Sequence, residues 1–150
     1  MNEGMVYLDH AATTPVRAEV LEAMLPYLGE RFGNPSSAHG VGRAARHALE
    51  EARERLAAVL GAGRKEVYFT SGGTEADNLA VLGRWRAVRR ERPDAVVACS
   101  AVEHRAVLAA VQAAGSEGAR TVVLGVDGEG RVGLETVEEV LQLRDRKSVV

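Results

Sequence analysis

The chain is poor in several residue types, and each shortage excludes something. Its 150 residues contain one cysteine, Cys99, so an internal disulfide framework is excluded and a reducing, cytoplasmic setting is expected. Aromatic residues make up 4% of the chain, which leaves Val, Leu and Ala to build the core. Lysine occurs only at Lys65 and Lys147, and every other basic side chain is arginine. Chemistry that needs an amine therefore has two candidates. No apolar run approaches the roughly 20 residues of a membrane span, and no signal-peptide pattern opens the chain. Neither sign of charge dominates: 19 basic against 21 acidic residues gives −2, without the basic excess of a nucleic-acid binder. The four histidines show no zinc-type spacing, so no metal site is expected.

What remains is an ordinary globular composition, 46% hydrophobic and 27% charged. A chain of this length can bury about two-thirds of its unfolded surface. Apolar residues at helical spacing predict a helix over 16–28, with Pro26 distorting or ending it. Residues 29–42, rich in Gly, Pro, Ser and Asn, read as a long loop. Ala45, Ala48, Leu49, Ala52, Leu56, Val59 and Leu60 then mark an amphipathic helix to Leu60, stopped at Gly61. Glu66–Thr70 reads as a strand, 75–90 as a helix ending before Pro93, and Ala95–Cys99 as a buried strand. A helix over 104–114, a strand at Arg120–Leu124, a turn at Asp127–Gly130 and a helix over 134–143 follow. Strands alternating with helices imply an α/β sheet with parallel neighbours.

The junction Ser71-Gly72-Gly73-Thr74 is the strongest local signal. The first N–H groups of a helix have no intrahelical partner, and the dipole makes that end positive. Glycines admit an anion close to the backbone, and Thr74 adds a hydroxyl, so the junction suits a phosphate. Thr74 with Asp77 also resembles a capping box, which is a purely structural alternative. Gly40-Val41-Gly42-Arg43-Ala44-Ala45 imitates a dinucleotide fingerprint. Loop residues precede it rather than a strand, so that role is rejected. No P-loop segment is present. His104 follows a strand end, where α/β sheets place ligands, although a structural role is open to it as well. Cys99, inside an apolar strand, reads as a small buried hydrophobe.

Four segments in register resemble one family. They are Tyr7-Leu8-Asp9-His10-Ala11-Ala12-Thr13-Thr14-Pro15, then Gly33-Asn34-Pro35-Ser36-Ser37-Ala38-His39 with Gly42. Phe69 to Ala80 and Glu103-His104-Arg105-Ala106-Val107-Leu108 complete the set. Together they resemble the cysteine desulfurases of the class V aminotransferase superfamily, the Asn-Pro-Ser-Ser form favouring the NifS/IscS-type group. The resemblance implies fold type I of the pyridoxal 5′-phosphate enzymes (aspartate aminotransferase-like), here an incomplete large domain with a parallel-dominated sheet flanked by helices. Residues 1–15 would be an entry segment and 16–144 part of the cofactor-binding domain.

The implied reaction takes sulfur from L-cysteine, leaving L-alanine and an enzyme persulfide that feeds iron–sulfur cluster assembly. Gly73 and Thr74 would hold the cofactor phosphate, and His104 would stack on the pyridine ring and take part in proton transfer. The complete enzyme would be a homodimer passing sulfur to a scaffold protein. A Schiff-base lysine and a cysteine nucleophile are also implied. Lys65, Lys147 and Cys99 do not match those positions, so the chain is expected to be an inactive, poorly soluble N-terminal fragment. Two other readings compete. One is a different class V pyridoxal enzyme, a selenocysteine lyase or an aminotransferase. The other is a short non-catalytic protein that binds a phosphate ligand.

Asp145-Arg146-Lys147-Ser148-Val149-Val150 departs from the family. It equals the translation of a common short-read sequencing adapter, which makes 145–150 a non-native tail. Resequencing the locus through codon 144 is expected to show the frame continuing into a His-Lys motif and a cysteine-bearing loop. The same six codons in an independent genomic read would refute this.

Overall fold

Helix α2 (Gly40–Leu60) is the longest element of the computed structural model, which describes residues 6–145. The tail from Arg146 onward lies outside the described residues. The chain divides into two compact units, Met1–Tyr68 and Phe69–Val150.

In the first unit, α1 (Ala18–Leu28) continues two residues beyond Pro26 before it closes. Its apolar face, including Leu21, Met24 and Leu25, is exposed. Helix α2 is fixed at both ends. At its start the His39 imidazole Nδ1 accepts from the Gly42 N–H at 3.3 Å. At its end Gly61 takes the left-handed conformation (φ 65°, ψ 25°), and the Ala62 N–H reaches back to the Ala57 carbonyl at 2.9 Å. This is a Schellman closure, and glycine enters it without steric cost. The preceding loop is pinned to α2 by two arginines: Arg43 Nη1 donates to the Ala38 carbonyl at 2.6 Å and Arg46 Nε to the Pro35 carbonyl at 2.7 Å. Gly42 is where loop and helix meet. A Cβ there would lie 2.4 Å from the Ser37 carbonyl oxygen and 2.8 Å from that of Asn34.

The predicted strand at Glu66–Thr70 does not form. Arg64–Glu66 is a 3₁₀ turn, and residues 67–70 are irregular. Val67 has extended dihedrals (φ −103°, ψ 122°), so the β-prone residues express their local preference. A strand also needs a ladder, and among the described residues no ladder includes Val67 or Tyr68.

The second unit is a β-α-β arrangement with added helices. Strand β1 (Val96–Ser100) pairs in parallel with β2 (Arg120–Leu124), with Val96 opposite Arg120 and Ser100 opposite Leu124. Helix α5 (Arg105–Ser116) makes the crossover. It buries Ala106, Ala110, Val111 and Ala114, a small-residue stripe that lets it lie close to its neighbours. The helix expected over 75–90 begins at Gly73 and is interrupted: α3 (Gly73–Asn78) runs into a wide π turn, Leu79–Gly83, and then α4 (Arg84–Val88). Helix α6 (Leu134–Asp145) contacts both strands. Arg86 donates to both carboxylate oxygens of Glu117 through Nε at 3.0 and 3.1 Å, tying α4 to the end of α5. Arg86 holds the Glu117 carboxyl below its ordinary range, so this tie is present at neutral pH and is lost as pH falls through that lowered value.

Alanine, not leucine, dominates the buried set. Ala57, Val67, Trp85, Cys99, Ala106, Ala110, Val111 and Ala114 are buried, and no leucine is among them. Leucines such as Leu25, Leu28, Leu60 and Leu141 are exposed on their helices. Gly42→Ala is expected to destabilise the first unit by about 2 kcal/mol, through the overlap of its methyl with two carbonyl oxygens. Denaturant unfolding followed by circular dichroism measures this, and an unchanged midpoint would contradict it.

Candidate anion site

Thr70 leads through Ser71 and Gly72 into the first turn of α3. Gly72 is extended (φ 166°, ψ 179°), and the Ala76 N–H makes the first helical bond, to the Gly72 carbonyl at 3.1 Å. The N–H groups of Gly73, Thr74 and Glu75 then have no acceptor among the described residues. A Cβ built at Gly72 or Gly73 meets no atom within 4 Å, so the side-chain side of both glycines is uncrowded. Thr74 is exposed, and its hydroxyl makes no bond among the described residues. The turn offers converging donors, a free hydroxyl and room, which together fit a phosphate group.

The capping acid is not the one the spacing indicated. Asp77 makes no reciprocal bond with Thr74, because Thr74 already lies inside the helix and Gly72 is its N-cap. Glu75 performs the closure instead. Its Oε2 accepts from the Ser71 N–H at 2.7 Å and from the Ser71 hydroxyl at 2.6 Å. The Ser71 hydroxyl, then its N–H, hold the Glu75 carboxyl below the usual carboxylate range. The serine four residues before a glutamate was the available signal. It separates the two roles weighed from the sequence: Glu75 closes the turn, and Thr74 remains available to a ligand.

His104 lies past the C-terminal end of β1 and is the N-cap of α5. Its Nδ1 accepts from the Ala106 N–H at 3.1 Å, and the residue is exposed. Both roles weighed for it are therefore compatible: the Nδ1 edge is structural and the rest of the ring is free. Gly73, Thr74 and His104 stand at the starts of α3 and α5, two helices that contact each other. No hydrogen bond joins them directly. A hollow of about 440 Å³ beside β1 is lined by residues such as Trp85, Val97 and Leu141 and includes none of the three. Their site is an open rim, not a pit.

The other sequence candidates carry no reactive group. Cys99 is buried in β1, where desolvation, and then the charge of Glu103, push its thiol up, so it stays protonated. The segment Gly40–Ala45 opens α2 behind a loop, which agrees with rejecting the dinucleotide motif. No cluster of potential metal ligands occurs among the described residues, and no described helix is long and apolar enough to cross a membrane.

The family described as Aminotransferase class-V matches residues 6–150. The chain belongs to the class-V aminotransferase family. This class-V chain is 47% identical over 137 residues to a protein named cysteine desulfurase IscS from Dictyoglomus turgidum, covering 91% of the chain and 34% of that relative. A solved structure of a NifS-like protein superposes with a TM-score of 0.81 at 38% identity, covering 90% of this chain and 36% of that one. Another, of SspA in complex with cysteine, gives 0.79 at 37% identity, covering 89% and 38%. These likenesses establish the fold type I architecture expected from the motifs. The class-V chain spans about a third of the length of the curated relatives it matches.

His104→Ala is expected to cost about 1 kcal/mol of stability through loss of the α5 cap, whereas His104→Asn should retain most of it, because its side-chain oxygen can replace Nδ1. Equal thermal midpoints for the two variants would refute the capping role.

Proposed function

We propose that this chain is the cofactor-cradling part of a cysteine desulfurase, an enzyme that removes sulfur from L-cysteine as a persulfide and leaves L-alanine. The observation that carries the proposal is the turn at Gly72–Thr74, whose N–H groups at Gly73 and Thr74 have no acceptor among the described residues, in the segment where the desulfurase resemblance is densest. The similarity to proteins named cysteine desulfurase supports it, as does the similarity to SspA, whose structure was solved in complex with cysteine.

Pyridoxal 5′-phosphate, when bound, supplies an electron sink for breaking bonds at the amino-acid Cα. The chain's own residues would bind and orient it. The N–H groups of Gly73 and Thr74 and the Thr74 hydroxyl would donate to the phosphate, where the helix dipole adds attraction. Glu75, drawn back onto Ser71, keeps its negative charge engaged at the edge of this cradle. His104 would be the catalytic residue in contact with the cofactor ring, its imidazole stacked on the pyridine face.

On the same reading, residues 1–15 form the entry segment and 16–144 a partial large domain. The Schiff-base lysine and the persulfide-forming cysteine then belong to a longer protein. Lys65 occupies a 3₁₀ turn of the other unit, and the Cys99 thiol is buried and protonated. A homodimer in the cytoplasm, with an iron–sulfur scaffold protein as sulfur acceptor, completes the proposal.

Titration of the chain with pyridoxal 5′-phosphate, followed by absorbance, tests the cradle. Weak, saturable binding that inorganic phosphate competes away is expected. Thr74→Val should weaken it about tenfold, the loss of one charge-assisted bond worth about 1.4 kcal/mol. Binding that ignores both phosphate and Thr74→Val would overturn the assignment.

A further inference from the structure

We draw no further inference here: the strongest candidate, the hollow beside β1 between α4 and α6, walled by Trp85, Val97 and Leu141, is where the sheet of the fold type I architecture already described would continue, and nothing among the described residues shows what covers it.

Discussion

A helix cannot use its own first donors, and this constraint organises the molecule. Three loop-to-helix starts carry the motif residues, and they handle the problem in two ways. At α2 and α5 a histidine Nδ1 accepts from the backbone, His39 from Gly42 and His104 from Ala106. At α3 the closing group is Glu75, which bonds Ser71 outside the helix and leaves the donors of Gly73 and Thr74 uncovered. Two starts are sealed by imidazole and one is left open. The open one is where the physical case for an anion and the family assignment coincide.

The parts of the fold legible in the sequence were those decided by local patterns. The period of α2, its stop at Gly61 and the strands on either side of α5 all depend on neighbours a few residues away, and they stand close to where the patterns placed them. The parts that were not legible depend on partners distant in the chain. Tyr68 favours an extended backbone, but its segment enters no strand ladder among the described residues. The leucines of α1 have the correct spacing for burial but no covering layer. The π turn at Leu79–Gly83 leaves no mark in a 3.6-residue pattern, because the residues within it are all small or apolar.

At the site, residue types were readable and their partners were not. Gly73, Thr74 and His104 were identified by motif, and the structure puts them at two helix starts within one unit. The spacing Thr74–Asp77 indicated a capping box, but the helix begins two residues earlier than that spacing requires, so Glu75 takes the role. A two-residue change in the N-cap exchanges the structural and binding duties of neighbouring side chains. That detail is set by the extended Gly72, which composition and periodicity do not encode.

The shortage of lysine has a further effect on how the chain is fastened. Arg43 and Arg46 latch the loop before α2 onto carbonyl oxygens, and a guanidinium keeps its protons throughout the range that proteins tolerate. The caps at His39 and His104 require a bare nitrogen. The chain therefore carries two kinds of fastener of opposite polarity: guanidinium clips that donate to carbonyl oxygens, and imidazole caps that accept from backbone N–H groups.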